Sequence, residues 1–149
     1  MGSEQTVPVR AGTVVLFTAG HQFVQQATLD GDTLLVVNEF FPTYLSFKDN
    51  TVVTFGETPN MTDPGTSVAS GTLTNDATPA YASPGSGAGA GALAGTFITF
   101  DTNTGNVYTC VAKAGFTLPT ATSTHSTSNN ENLTFAGGIL THVNGAPVP

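Results

Sequence analysis

Residues 95–110 read GTFITFDTNTGNVYTC, and this stretch decides the fold class. Threonine is interspersed among apolar side chains over residues 96–100, which we interpret as a half-buried strand with a two-residue period, and residues 106–112 are interpreted as a second one. Between the two runs, Asp101 opens a turn and Gly105 stands where a left-handed residue follows a type I turn. The stretch therefore predicts an antiparallel hairpin with a bulge at Gly105.

Short strand-like runs of the same kind lie on both sides of this hairpin. Asp30-Gly31-Asp32 predicts a tight hairpin flanked by Leu29 and Thr33, and a second hairpin is expected between residues 44–47 and 51–55. Gly137 and Gly138 predict a last strand pair over residues 133–135 and 139–143. No stretch of ten or more residues has the 3.6-residue period of a helix. The chain is expected to be mainly β, a small barrel or sandwich of antiparallel hairpins.

Large apolar side chains almost disappear over residues 57–95, which are punctuated by proline and end in the Gly/Ala-rich run SPGSGAGAGALAG. Glycine-rich chain serves as a connector or as backbone that packs closely on something else. We therefore expect a long Gly/Ala-rich excursion here, with one short strand over residues 67–74. The excursion is expected to lie on the surface of a partner. The Ser/Thr/Asn-rich residues 117–132 are expected to form a surface loop, and residues 145–149 an extended tail.

The chain begins with a polar segment that precedes the first strand-like run. Proline has no backbone donor and disfavours helix at the residue before it, so residues 1–10 are expected to form an extended N-terminal arm in front of a single β-rich domain, 11–149. An extended arm can add a strand to the sheet edge of a partner. The residues expected to make that contact are Thr6, Val7, Pro8, Val9 and Arg10.

The charge balance excludes two classes of partner. The 149 residues contain only 3 Lys and Arg against 10 Asp and Glu, a net charge of −7. Nucleic-acid binding depends largely on Lys and Arg that neutralise phosphates, and anionic membrane surfaces attract the same residues. We therefore expect no nucleic acid and no membrane among the partners. No apolar run is longer than the four residues of 34–37, far fewer than the roughly 20 residues of a membrane-spanning helix.

The candidate chemical motifs are weak. Cys110 is the single cysteine and lies in an alternating apolar run, where a buried packing role is expected. His21, His125 and His142 have no metal-ligand spacing. The run that begins at Asp101 lacks the glycine and glutamate of a calcium loop. The sequence predicts no enzyme, no cofactor and no metal site.

Threonine is the residue type that needs an explanation, at 26 of 149 positions. Its branched side chain favours strands, and its hydroxyl is polar without carrying charge. A sheet surfaced with threonine is hydrated yet nearly neutral, so little charge must be desolvated when it docks on another protein. Assembly with other proteins is the expected role.

The hairpin at residues 95–110 resembles one that recurs in virion proteins of tailed bacteriophages, with a Gly-Thr start, an Asp-Thr-x-Thr-Gly turn and an aromatic residue and cysteine in the return strand. The matching residues are Gly95, Thr96, Asp101, Thr102, Thr104, Gly105, Tyr108 and Cys110. Small size, an Ala/Gly/Thr-rich composition and a polar arm are similar to those of phage head decoration, or cement, proteins. The resemblance implies a β-rich protein, commonly a homotrimer, that sits on the mature capsid and braces it against internal DNA pressure.

Three function classes follow. The first is a structural virion protein on the capsid surface that binds the major capsid protein, bridges capsid subunits and stabilises the shell. The alternative is a tail-fibre or receptor-binding module, in which residues 117–132 and His125 recognise a host surface glycan. An acidic hydrolase is the third class, and no catalytic spacing favours it.

Overall fold

The computed structural model describes residues 6–17, 23–38, 43–57, 66–78, 90–101 and 104–149. Strands and turns make up these ranges, and no helix occurs in them. The expected mainly β fold is therefore confirmed. The strands are β1 (Leu16–Phe17), β2 (Val24–Thr28), β3 (Thr33–Asn38), β4 (Thr43–Phe47), β5 (Val52–Glu57), β6 (Thr66–Thr72), β7 (Phe97–Phe100), β8 (Val107–Val111), β9 (Thr117–Pro119), β10 (Thr124–Ser126), β11 (Asn132–Ala136), β12 (Ile139–Val143) and β13 (Ala146–Pro147).

Nine strands form one antiparallel sheet, here called the main sheet, in the order β1-β2-β5-β6-β7-β8-β11-β12-β13. Its edge strands β1 and β13 do not pair with each other, so the sheet is open rather than closed into a barrel. Hairpins β3–β4 and β9–β10 are separate two-stranded sheets. Because β3 lies against β6, the arrangement is sandwich-like. Of the two architectures expected from the sequence, the sandwich is the closer one.

The hydrophobic core lies between the main sheet and the layers that cover it. Alternate residues of the strands supply it, as the two-residue period requires. Phe47 of β4 is fully buried and lies directly over Gly71 of β6, where a Cβ at position 71 would come within 2.5 Å of the Phe47 ring. Glycine is therefore needed at position 71 for the two layers to approach. Other fully buried members of the core are Leu35, Val53, Val68, Ile98 and Leu133.

Two predicted hairpins are confirmed. Strands β7 and β8 pair antiparallel, and Gly105 has the predicted left-handed conformation, with φ of 72°, and donates its N–H to the Asp101 carbonyl. Strands β11 and β12 pair around Gly137 and Gly138, both of which have positive φ. Positive φ at both central residues is the signature of a type I′ turn, whose twist matches that of a hairpin.

Two other predicted hairpins are wrong, although their strands exist. Strand β2 pairs with β5 rather than β3, and β4 pairs with β3 rather than β5. The turns after β2 and β4 are corners through which the chain leaves the main sheet and returns to it. The corners dock on each other, because Asp49 Oδ1 accepts a hydrogen bond from the Gly31 N–H and the Asp49 N–H donates to Asp32 Oδ1, both at 2.8 Å.

Within residues 57–95, the strand expected at residues 67–74 is confirmed as β6, which is an interior strand of the main sheet. Ala90 and Ala92 are fully buried, and Ala92 bridges Ala77 on one side and Ala112 on the other. Residues 58–65 and 79–89 of the expected excursion lie outside the described residues. The expected surface loop at 117–132 is wrong in part, because it contains hairpin β9–β10.

Candidate functional site

A single register row crosses the whole main sheet on the face opposite the core, here called the outer face. Its members alternate along their strands with buried residues such as Val53, Ile98 and Leu133, which places them on the other side of the pleat. Five consecutive members carry hydroxyls, and at about 4.8 Å per strand they span about 19 Å. The row comprises Leu16, Gln26, Thr54, Ser70, Thr99, Thr109, Thr134, His142 and Pro147.

Neighbouring hydroxyls in this row hydrogen-bond to one another. Thr54 Oγ1 lies 2.5 Å from Ser70 Oγ, and Thr99 Oγ1 lies 2.6 Å from Thr109 Oγ1. The Thr109 N–H also donates to Thr99 Oγ1, at 3.1 Å. These mutual bonds satisfy part of the hydrogen-bonding capacity of each hydroxyl. Covering the row with another protein therefore strips fewer water contacts than covering isolated hydroxyls would.

The same local sequence pattern occurs in three of the hairpins that contribute to the row. It is an aliphatic residue followed by Thr and Phe. In each hairpin, Thr and Phe are adjacent on one strand, but the residues that pair with them on the other strand are two positions apart. The extra residue between those two is a β-bulge. The bulge turns the partner of each Phe toward the core. The tripeptides are Val53-Thr54-Phe55, Ile98-Thr99-Phe100 and Leu133-Thr134-Phe135, and the bulged residues are Ala69, Tyr108 and Thr141.

Sequence reasoning missed this row. The threonine content stands out in the sequence, but the positions that share a register do not. The signal that would have found the row is the threefold recurrence of the aliphatic-Thr-Phe tripeptide, each time inside a strand.

The outer face carries no Asp, Glu, Lys or Arg at any strand position that the structure describes there. It also exposes apolar side chains, with Phe97 54% exposed and Val52 44% exposed. Cores of protein interfaces are depleted of charge, and the outer face has this property. Besides the register row, the face includes Thr28, Val52, Thr72, Phe97, Val111, Asn132, Ala136 and Ile139.

Two ion pairs between charged side chains lie outside the strands. Arg10 pairs with Asp49 at 3.0 Å, and Lys113 pairs with Asp76 at 2.7 Å. The Lys113 ammonium, together with a hydrogen bond from the Ala94 N–H, lowers the pKa of Asp76 below its ordinary value. Both ion pairs are about half exposed, so they contribute little to stability. Their positions leave the outer face neutral.

The predicted contact arm, Thr6, Val7, Pro8, Val9 and Arg10, lies along the edge of the molecule's own sheet. Val9 bridges Leu29, the Arg10 N–H donates to the Thr28 carbonyl at 2.9 Å, and the Pro8 carbonyl accepts from the Asp30 N–H at 3.1 Å. Val7 packs against the core, and Thr6 is exposed. Residues 1–5 of the expected arm lie outside the described residues.

The bridge leaves one side of the arm facing outward. Leu29 directs its own N–H and carbonyl at residues 50 and 51 on its far side, so it forms a non-hydrogen-bonded pair with Val9. In such a pair the N–H and carbonyl of Val9 point away from Leu29. Val9 therefore presents an outward donor and acceptor of the kind that an added strand uses.

The cysteine and two of the three histidines singled out from the sequence lie in the described parts of the chain. Burial of Cys110 raises the pKa of its thiol to about 12. His125 Nε2 lies 3.1 Å from Glu131 Oε2, which also accepts from the Ser128 N–H. These bonds, that of Ser128 first, lower the pKa of Glu131. His142 lies on the outer face opposite Thr134, whereas His21 lies outside the described residues.

The described residues contain no group of three or more His, Cys, Asp or Glu side chains that could hold a metal ion. In the same ranges, no helix has the length and apolar character needed to cross a membrane. No protein-family model, curated protein or solved structure matches this chain.

Proposed function

We propose that this protein is a structural component of a tailed-phage virion, which binds the outer surface of the mature capsid and stabilises it by bridging capsid subunits. The observation that carries the proposal is the outer face, where hydroxyl-bearing, apolar and a few amide or imidazole side chains cover seven interior strands without Asp, Glu, Lys or Arg among the described residues. A face without charged side chains is suited to docking on another protein. The resemblance of residues 95–110 to a hairpin of phage virion proteins supports a virion as the site of docking.

Docking through this face has favourable energetics. Burying a charge without a partner is costly, and burying hydroxyls that already bond to each other costs much less. Eight inter-strand spacings separate the nine strands, so the outer face is about 38 Å across. A standard interface, which buries about 800 Å² per partner, has a comparable width. The exposed rings and aliphatic groups, Phe97 and Val52 among them, add apolar burial. The proposed partner of this face is the major capsid protein.

The arm supplies a second contact. Its outward N–H and carbonyl at Val9 lie at the edge of the sheet, where a capsid strand can pair with them. Self-association into a homotrimer would present three faces and three arms at once. Simultaneous weak contacts then add up to high avidity on a symmetric capsid surface.

Cosedimentation with phage heads tests the proposal. Purified protein is mixed with mature, expanded heads and with unexpanded precursor shells, and bound protein is quantified against input. Saturable binding to expanded heads alone is expected, and the stoichiometry per capsomer reports the oligomer. Absence of binding to either shell would overturn the capsid role.

A charge placed on the outer face separates docking by this face from docking elsewhere. Thr134→Lys puts an ammonium in the register row and should weaken head binding at least tenfold, because that charge must be desolvated in the interface. Thr122→Lys makes the same change in the exposed turn of hairpin β9–β10 and should bind like the wild type. Circular dichroism and thermal melting confirm that both variants are folded. Equal binding by both variants would exclude the outer face.

The receptor-binding alternative would use residues 117–132. There the His125 ring is already bonded to Glu131, and the strands of the hairpin carry Thr, Ser, Leu and Pro beside it. Nothing in this hairpin favours a glycan over any other ligand. Binding to host cells by protein that fails to bind heads would favour the alternative.

A further inference from the structure

A pocket of about 450 Å³ lies between the tips of hairpins β7–β8 and β11–β12. The two tips are neighbours because β8 pairs with β11 in the main sheet. Buried Phe100, Val107 and Phe135 form its floor, and the backbone of Gly137 and Gly138 forms one wall. The volume falls within the range of about 300–1,000 Å³ that is usual for small-molecule sites.

Tyr108 stands at the rim of this pocket because of the bulge in β8. Pairing passes from Thr99 and Thr109 to Phe100 and Val107, so Tyr108 is the extra residue. Bulges re-aim side chains in this way and occur next to binding sites. The Tyr108 side chain is 51% exposed and lines the pocket, so one part of its ring is open to a ligand.

Asn106 brings an unmet hydrogen-bonding group to the same pocket. The residue is only 9% exposed, and its buried Oδ1 finds no donor among the described residues. Its position is anchored through the backbone, because its carbonyl accepts from the Asp101 N–H at 2.8 Å and its N–H donates to Thr104 Oγ1 at 3.3 Å. A buried acceptor without a donor is costly, and a ligand that supplies the donor removes the cost.

The remaining polar lining is acceptor-rich and carries no positive charge. Asp101 contributes a carboxylate and Thr104 a hydroxyl, and none of the lining residues is Lys, Arg or His. An anionic ligand such as a phosphate would face a carboxylate in a protein of net charge −7. A metal ion would find a single carboxylate. The lining therefore favours a neutral ligand that donates several hydrogen bonds and has an apolar face for the Tyr108 ring.

We propose that this pocket binds one neutral saccharide ring, whose hydroxyls donate to Asp101 and, once the Asn106 side chain turns toward the ligand, to its Oδ1, and whose C–H face packs on Tyr108. A pyranose has both kinds of surface on one small molecule. The proposal does not rest on the capsid role, and the pocket is distant from the arm. The pocket is at the end of the sheet away from the Val9–Leu29 bridge, because Val107 and Leu29 lie on opposite sides of the register row. Arm and pocket can therefore be occupied together.

Nuclear magnetic resonance titration of the full chain tests the proposal. The probes are methyl glycosides of neutral hexoses and N-acetylhexosamines, with sialic acid and Nα-acetyl-lysine methyl ester as anionic and cationic comparisons. Saturable shifts from at least one neutral glycoside, confined to residues 100–101, 104–108 and 135–138, are expected. Shifts from the lysine ester alone, or no shift at the pocket with any neutral glycoside, would overturn the proposal.

Matched variants separate a binding role from a structural one. Tyr108→Ala should weaken saccharide binding about tenfold through the lost ring contact. Tyr44→Ala removes a tyrosine that is 52% exposed on the separate hairpin β3–β4 and should leave binding unchanged. Asn106→Leu should abolish binding without lowering the melting temperature, because it replaces an amide whose buried Oδ1 has no partner by an apolar side chain of similar shape. Undiminished binding in Tyr108→Ala and Asn106→Leu would refute the assignment.

Discussion

The Thr109 backbone N–H donates to Thr99 Oγ1 across hairpin β7–β8 at 3.1 Å, and the two side-chain hydroxyls lie 2.6 Å apart. The bulge at Tyr108 disturbs the ladder at this point, so a side-chain oxygen serves as the acceptor for a strand N–H. Thr99 therefore has a structural role as well as a place on the neutral outer face. The same substitution can affect folding and docking, and the two effects need separate measurements.

Thr99→Val should lower the free energy of unfolding by about 1–2 kcal/mol, because valine keeps the branched shape but removes the side-chain oxygen that accepts from the Thr109 N–H and bonds the Thr109 hydroxyl. Thr99→Ser keeps the oxygen and should recover most of that loss. Urea unfolding followed by circular dichroism measures both. Thr122→Val, at an exposed turn, is the control and should be neutral. Equal stability of Thr99→Val and wild type would show that the hydroxyl is dispensable for the bulge.

Gly91→Ala should destabilise the protein by about 1–3 kcal/mol, the usual range for overpacking a core. The backbone at Gly91 lies against the Phe116 ring, and a Cβ there would overlap the ring. Phe116→Leu in the Gly91→Ala background should restore part of the stability, because the smaller side chain vacates the overlap. Thermal unfolding of the two single variants and the double variant provides the test. Additive losses in the double variant would contradict the contact.

Strand positions and local hairpins were predictable from the sequence because their signals are local. Alternation identifies β7 and β8, and the residues of positive φ at the tips, Gly105, Gly137 and Gly138, identify the reversals. Turn residues do not say which strand comes next in space. The turns at Gly31 and Asn50 look like hairpin tips in sequence, but they are adjacent corners joined through Asp49.

The candidate sites depend on longer-range relations. The outer face arises from the register of nine strands, and register is decided by bulges that skip one residue in each of three hairpins. A one-residue shift exchanges the two faces of a strand, so composition alone cannot locate the row. The buried alanines at 90, 92 and 112 were equally hidden, because small side chains become core only where backbones approach closely.

Glu131→Gln should lower stability at pH 7 by about 1 kcal/mol, since a charge-assisted acceptor for the Ser128 N–H and His125 is replaced by a neutral one. The pKa of Glu131 is lower in the folded protein, so the folded state binds fewer protons there. Its stabilisation is complete above the ordinary carboxyl pKa of about 4.3 and disappears as pH falls through the lowered value. The wild type and variant should therefore converge at acid pH.

Melting temperatures at pH 7, 5 and 3 measure this convergence. Asp30→Asn removes the same charge from an exposed turn and controls for the change in net charge. A stability difference that persists unchanged at pH 3 would show that the Glu131 carboxylate is not its source.

Val9→Pro tests strand addition at the arm without removing the arm. The outward N–H of Val9 is lost, whereas the inward bonds use the Arg10 N–H and the Pro8 carbonyl and stay available. Proline at a sheet edge blocks pairing with a further strand. If a capsid strand pairs here, Val9→Pro should reduce head binding at least tenfold in cosedimentation, with a change in melting temperature of no more than a few degrees.

Val9→Thr is the matched control, because it keeps the N–H and a branched side chain and should bind heads like the wild type. Deletion of residues 1–10 should also abolish binding, but it removes the Val9–Leu29 bridge and the Arg10–Asp49 ion pair at the same time. The point variant is therefore the sharper test. Full head binding by Val9→Pro together with loss of binding in Thr134→Lys would assign docking to the outer face alone and leave the arm a structural edge of the protein's own sheet.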